Sequence, residues 1–313
     1  MNSNSPKVSI FMISYNQATL IEEAVLSCLA QDYSNIEIVI SDDGSTDGTA
    51  EILAAFKDKH PDKINLILNP VNQGIVKNSN VALSNCSGEF VAFMGGDDIL
   101  YPTKISRQVE AFIADPEVVF CYHPCHILKN GVITGTVGDR AKDVVTNFYE
   151  MMANYGAQIP GPVPMVARAA IPAGGFNEKI STACDWLLFI EISSKGKVIR
   201  LDEVLSIYRK HDNNIGHKIF SYADNFLQTL DLVEEKYGKD PKVVAACNKG
   251  RKRFLLGIIY NAILVKNKEA LTKYVEIYKK SGGNAPRLIY ALGSLPFSSW
   301  LFRSIKNSLK KIF

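Results

Sequence analysis

The chain has 313 residues, of which 47% are hydrophobic and 21% charged, and its net charge is +3. Such a composition excludes an intrinsically disordered chain and a strongly basic nucleic-acid binder, so no nucleic-acid partner is expected. A length beyond the usual domain of about 100–200 residues implies one large unit and one smaller.

Met1 is followed by polar residues and then Lys7, with no basic segment leading an apolar stretch, so the expected location is cytoplasmic. Apolar runs rich in Val and Ile predict strands at 8–14, 36–41, 64–68 and 89–94. Amphipathic segments between and after them predict helices at about 18–30, 47–58, 74–85 and 102–114. This alternation is the pattern of an α/β fold, a mostly parallel sheet covered by helices on both faces. Beyond about 117 the regularity weakens, with Gly and Pro punctuation at 160–164 and 172–175, so this stretch is expected to shape a site rather than extend the sheet. From about 217 onward apolar residues recur at helical spacing through Phe226, Leu230 and Val233 and again through Phe254, Ile258 and Ala262. The expected division is therefore 1–216, the larger unit, and 217–313, a helical appendage.

Six cysteines at irregular spacings in a chain of this size suggest reduced thiols, not a disulfide framework. The run Cys121-Tyr122-His123-Pro124-Cys125-His126 packs four potential ligands together. It closes an apolar strand and has no second cluster at zinc-site spacing, so a metal role is not assigned to it.

Ligands of an open parallel sheet bind beyond the carboxyl ends of its strands, near the point where strand order reverses. Three polar clusters stand at such ends: Ser14-Tyr15-Asn16, the run from Ser41-Asp42-Asp43-Gly44 to Gly48, and Gly95-Gly96-Asp97-Asp98. Taken alone, the second reads as a turn with an N-cap. A calcium loop fails because the twelfth position of a loop beginning at Asp43 is Ala54, where a bidentate Glu is required. A dinucleotide-binding loop fails because no glycine fingerprint follows the first strand. The adjacent carboxylates of Asp97 and Asp98 repel each other and call for a hard divalent cation. Oxygen ligands select Mg²⁺ or Mn²⁺, which bind through one or two carboxylates together with substrate phosphates, so a diphosphate is expected.

The residues from Val8 to Asn16, the run Ile38-Val39-Ile40-Ser41-Asp42-Asp43-Gly44-Ser45-Thr46-Asp47-Gly48-Thr49, Asn72-Gln73-Gly74 and Gly95-Gly96-Asp97-Asp98 together resemble glycosyltransferase family 2. The resemblance continues through Pro102-Thr103-Lys104, Arg107-Gln108, Cys184-Asp185-Trp186 and Tyr208-Arg209-Lys210-His211, covering residues 7 to about 215. It implies a GT-A fold, Rossmann-like, and an inverting enzyme that takes a sugar from a nucleotide diphosphate, a UDP-sugar, to a glycan acceptor. It further implies that Asp43 holds the base, Tyr15 flanks it, Asp97 holds the ribose and Asp98 ligates Mn²⁺ or Mg²⁺. Ser14, Asn16, Asn72, Gly74 and Arg209 complete the nucleotide-sugar set, His211 reaches the metal or the phosphates, and Asp185 is the catalytic base. The alternative for Asp185 is an N-cap. Two departures stand out: Gly95 where many relatives are acidic, and Cys184 where an acidic residue often precedes the base.

A single base opposite the leaving group implies one displacement and inversion at the anomeric carbon. A sugar nucleotidyltransferase would carry a Gly-rich, Arg-containing loop after the first strand, and this chain has none there; a catalytically inactive nucleotide-sugar binder is the remaining alternative. The tail contributes a further expectation. The uncharged stretch 288–302 is interrupted by Gly293 and Pro296, too short to span a bilayer. As a helix, Leu301, Phe302, Ile305, Leu309, Ile312 and Phe313 share one side, beside Arg303, Lys306 and Lys310. That pattern suits an interfacial helix on anionic lipid, hence peripheral association with the inner face of the membrane and an undecaprenyl-diphosphate-type, lipid-linked acceptor.

Overall fold

The computed structural model describes residues 5–138, 144–154, 159–210 and 219–283. The first third is a regular alternation: strands β1 (Val8–Ser14), β2 (Ile36–Asp42), β3 (Ile64–Leu68) and β4 (Phe90–Gly95), with helices α1 (Ile21–Leu29), α2 (Thr49–Lys59) and α3 (Ile75–Ser84) between them. These follow the hydrophobic periodicity closely. β5 (Ile99–Leu100) and α4 (Lys104–Ala114) come next, then β6 (Val118–Tyr122), β7 (Cys125–Lys129), β8 (Val132–Val137) and α5 (Phe148–Asn154). The chain continues with β9 (Met165–Ala167), α6 (Cys184–Ser193), β10 (Lys197–Arg200), β11 (Ser206–Lys210) and α7 (Ile219–Tyr237), α8 (Pro241–Leu264) and α9 (Lys268–Lys280).

The main sheet has seven strands in the order β10-β6-β9-β4-β1-β2-β3. β1 is flanked in parallel by β2 and β4, so strand order reverses there: the chain runs outward through β2 and β3, then returns to β4 on the other side. β9 lies antiparallel to both β4 and β6, which leaves β6 and β10 running with the rest. The expectation that the region after 117 does not extend the sheet is therefore corrected. β6, β9 and β10 supply three of the seven strands, and each is too short for a period-two signal to stand out. A second sheet, β5-β11-β7-β8, stands apart from it.

Side chains alternate across the main sheet. Val8, Ile10 and Met12 pack with Ile38, Ile40, Ala92 and Met94 under α1 and α4, whose Val25, Ile105 and Val109 close that face. Phe11, Val39, Val91 and Phe93 form the other core with Val76 and Ala82 of α3 and the buried apolar length of α6. Phe226, Leu230 and Val233 of α7 and Val243 and Cys247 of α8 join this second core, so the helical C-terminal part seats itself directly on the α/β unit. α8 and α9 then close a small core of their own around Leu255, Ile258, Tyr274 and Val275. Among the described residues no helix is long and apolar enough to cross a membrane.

Candidate active site

The loops after β1 and β2 are stitched together by short polar side chains. Buried Ser14 donates its hydroxyl to Asp42 Oδ2 at 2.8 Å, and Asp42 also accepts from the Ser45 amide and hydroxyl at 2.9 and 2.6 Å. Asn16 adopts a left-handed conformation, with φ 50°, and its Oδ1 accepts from the Thr46 amide at 2.9 Å while its own amide donates to Ser45 Oγ at 2.8 Å. Asp47 accepts from the Thr49 and Ala18 amides, capping α2 and holding the first loop in one contact. Between these loops Tyr15 is left exposed, its ring 47% accessible.

Asp43 is buried, and its two oxygens accept the backbone amides of Gln73 and Gly74 at 2.8 and 2.9 Å. Asn72 Oδ1 accepts the same Gly74 amide at 3.1 Å. Asp43, Asn72 and Gly74 thus form one turn locked onto the end of β2. Gly44 is required beneath that turn: its φ is +70°, and a Cβ there would lie 2.8 Å from the Val71 carbonyl carbon.

Asp97 and Asp98 follow β4 directly. Asp98 is almost fully buried, and among the described residues its oxygens receive only long backbone contacts, from Gly95 and Arg209, at 3.2 Å each. Burial and the neighbouring Asp97 carboxylate push Asp98 well above the usual carboxylate range. Gly95 makes room for this pair, since a Cβ there would sit 2.5 Å from Asp97 Oδ1 and 3.3 Å from Asp98 Oδ2. Gly161, from the Pro-rich stretch 160–164, forms the opposite wall, its own Cβ position 3.3 Å from Asp98 Oδ2. Burial, then the Asp98 charge, raises Cys125 to about 12 and also lifts Tyr208. Tyr208, Cys125 and Gly161 lie at Asp98, although the sequence, which places Tyr208 in a motif, Cys125 in the cysteine run and Gly161 in the 160–164 punctuation, gives none of them a role there. Only long-range pairing of β11 with β7 brings the first two to Asp98.

Arg209 lies on β11 with its guanidinium largely covered. Its Nε donates to the Asp97 carbonyl oxygen at 2.9 Å and its Nη2 to Glu23 Oε2 at 2.5 Å. His211 lies outside the described residues. Asp185 opens α6, preceded by Ala183 in a left-handed conformation with φ 52°, and its Oδ1 accepts the Trp186 amide at 2.9 Å. Topology gives its place. α6 leads through a short turn into the start of β10, at the amino edge of the sheet, so its first turn points to the carboxyl edge where Asp97 and Asp98 stand. Phe189, one turn further on, packs edge-to-face on Phe93 of β4 at 5.8 Å and on Phe120 of β6 at 5.1 Å.

The residues at Asp98 suit a hard divalent cation: two adjacent carboxylates, one of them desolvated and held, among the described residues, only by two long backbone contacts. Among the described residues no group of three or more His, Cys, Asp or Glu converges to hold a metal. In the Cys121–His126 run the His123 and His126 rings contact the Pro124 carbonyl and the Tyr101 hydroxyl, and Cys121 and Cys125 are buried thiols.

The profile of Glycosyl transferase family 2 matches residues 9–156. The chain is 33% identical over 218 residues to the Escherichia coli UDP-Glc:alpha-D-GlcNAc-diphosphoundecaprenol beta-1,3-glucosyltransferase WfaP, covering 68% of this chain and 81% of that protein. The chain spans 64% of the length of the first curated relatives it matches. In fold it is similar to Staphylococcus aureus TarS solved with UDP-GlcNAc, with TM-score 0.67, 18% identity and coverage of 91% and 83% of the two chains. It is also similar to a Pyrobaculum calidifontis mannosyltransferase solved with GDP-Man and Mn²⁺, with TM-score 0.61, 20% identity and coverage of 97% and 84%. A parallel-rich sheet that reverses order at β1, polar loops gathered on its carboxyl edge and 33% identity to a relative covered over 81% of its length lead to one conclusion: the chain belongs to glycosyltransferase family 2 and has the GT-A fold.

Proposed function

We propose that this protein is an inverting, divalent-metal-dependent transferase that moves a sugar from a UDP-sugar to a hydroxyl of a lipid-linked glycan. The observation that carries the reading is the desolvated Asp98 carboxylate beside Asp97 at the strand-order reversal. Asp98 and Asp97 would hold Mn²⁺ or Mg²⁺ against the diphosphate, where the ion supplies Lewis-acid stabilisation of the leaving phosphates. Tyr15 stacks on the base over the turn formed by Asp43, Asn72 and Gly74, while Ser14 and Asn16 keep the two loops in register beneath it. Asp97 also takes the ribose hydroxyls, and Arg209 offers its guanidinium to the phosphates. Asp185, at the open first turn of α6, takes the proton from the acceptor hydroxyl as it attacks. A base on the face opposite the leaving group gives a single displacement, so an α-linked donor yields a β-linked product.

The name of the Escherichia coli relative, a transferase onto a diphosphoundecaprenol-linked sugar, favours a lipid-linked acceptor. Association with the inner membrane face through the basic, amphipathic tail fits that acceptor, although the tail lies outside the described residues. Isothermal calorimetry with a panel of nucleotide diphosphates tests the donor and metal together. UDP should bind with Mn²⁺ present and far more weakly after chelation; equal affinity in both conditions removes the metal from the reading. Anionic vesicles tests the tail: the full chain should co-sediment and a chain ending at Gly283 should not.

A further inference from the structure

Arg209 is held at three points, and they differ in kind. Its backbone amide is tied to Asp98 Oδ1 and its Nε to the Asp97 carbonyl oxygen, so the base of the guanidinium is fixed to the cation pocket. Its outer end is held by one side chain, Glu23 in the first turn of α1, at 2.5 Å. The arginine side chain is only 16% exposed, whereas Glu23 is 60% exposed. We propose that Glu23 is a positioning residue that stands in for the donor's diphosphate, holding Arg209 ready at the pocket and yielding it to the phosphates when the donor binds. The inference rests on the nucleotide-diphosphate reading of the site.

Three physical arguments support an exchange over a permanent clamp. An ion pair with one partner mostly in water contributes little, whereas guanidinium–phosphate contacts are charge-assisted and commonly bidentate. The exchange therefore runs downhill. Glu23 also sits where the α1 dipole favours a carboxylate, so it remains stabilised after release. With Nε anchored at Asp97, the planar guanidinium stays in place and the exposed Glu23 side chain is the part that swings away, leaving Nη2 to the phosphates.

Calorimetric titration of UDP and of inorganic pyrophosphate, each with Mn²⁺ and with chelator, tests this on the unaltered protein and four variants. Glu23→Gln should bind both probes about two- to fivefold more tightly than the unaltered protein. Glu22→Gln, the same charge change at the adjacent exposed position, should leave affinity unchanged, and Glu23→Gln should give no gain when Arg209 is already Ala. Unchanged or weaker binding by Glu23→Gln overturns the exchange and leaves the site reading standing. An equal gain from Glu22→Gln reassigns the effect to bulk charge and also overturns it. Failure of the unaltered protein to bind either probe with Mn²⁺ removes the diphosphate reading and the exchange together.

Discussion

Strands β1 to β4 and strands β6, β9 and β10 share one sheet, yet they enter it by different routes. The first four join through successive βα units, with parallel registers running unbroken over five to seven residues. The others are joined by β9, three residues long and wedged antiparallel between β4 and β6. In the first construction the loops after β1 and β2 are tied to each other by Ser14, Asn16, Asp42, Ser45 and Asp47, and to the turn at Gln73 and Gly74 by Asp43, a rigid platform. The second ends in a Pro- and Gly-rich wall and in the opening turn of α6. On the proposed function this gives a division of labour: the platform would hold the nucleotide, and the later elements would bring the acceptor chemistry.

The largest expected effect separates those two tasks. Asp185→Asn keeps the shape of the α6 terminus and removes the proton acceptor. UDP affinity should stay near normal while turnover falls by a factor on the order of 10²–10⁴. The N-cap of α6 is Ala183, not Asp185, so retained turnover in steady-state assays would reduce Asp185 to satisfying the Trp186 amide in the first turn.

Asp98 lies where the two constructions meet, and its substitution should act on binding and stability in opposite directions. Asp98→Asn should weaken Mn²⁺-supported UDP binding by roughly 10²-fold, because the cation loses a charged ligand. Burial and the Asp97 charge raise Asp98 in the folded state, so the native protein binds a proton more readily than the unfolded chain. Stability contributed by this group is then present at low pH and lost as pH rises from the unfolded value, about 3.9, toward the raised one. With chelator present, Asp98→Asn should therefore raise the melting temperature at pH 7 more than at pH 4. A gain independent of pH would show that the carboxylate is not strained by its surroundings.

How much of this was legible follows the same division. The βα units, the three polar strand ends and the Asp97-Asp98 pair could be read because each signal is local: a period, a turn residue, two adjacent charges. Tyr208 and Cys125 could not, because they reach Asp98 only through pairing of β11 with β7, some eighty residues apart in sequence. Gly161 carried a turn signal without an address. Glu23 carried no signal at all, being one of two acidic residues in an ordinary helix start.

Lys104 and Gln108 tie the two constructions together beneath the surface. The fully buried Lys104 ammonium donates to Gln108 Oε1 at 2.6 Å, and Gln108 Nε2 donates to the carbonyls of Cys121 in β6 and Val163 in the Pro-rich wall. Burial lowers Lys104 to about 7, against about 10.4 in an unfolded chain. Between those values the unfolded state binds the extra proton, so this group's cost to stability grows as pH falls from about 10 to 7 and is constant below. Lys104→Met should compare more favourably with the unaltered protein at pH 7 than at pH 10, by a few kcal/mol at most in thermal unfolding. A difference that does not move with pH would mean the amine is solvated.

The smallest effect contrasts two glycines, one in the first construction and one in the second sheet. Gly44 combines a φ of +70° with a Cβ position 2.8 Å from the Val71 carbonyl carbon and 2.9 Å from the Asn72 nitrogen, both backbone atoms that cannot rotate away. Gly135 lies in β8 of the second sheet, with no atom within 4 Å of its Cβ position. Gly44→Ala must push back the turn that Asp43 holds through Gln73 and Gly74, and it should cost about 1–3 kcal/mol. Gly135→Ala should be neutral or slightly stabilising, since alanine has less conformational freedom to lose than glycine. Gly44→Ala should also weaken UDP binding, whereas Gly135→Ala should not, because only the first displaces the platform under the base. Equal melting temperatures for the two variants would mean that the turn at 71–74 yields freely, and that the platform is less rigid than its hydrogen bonds imply.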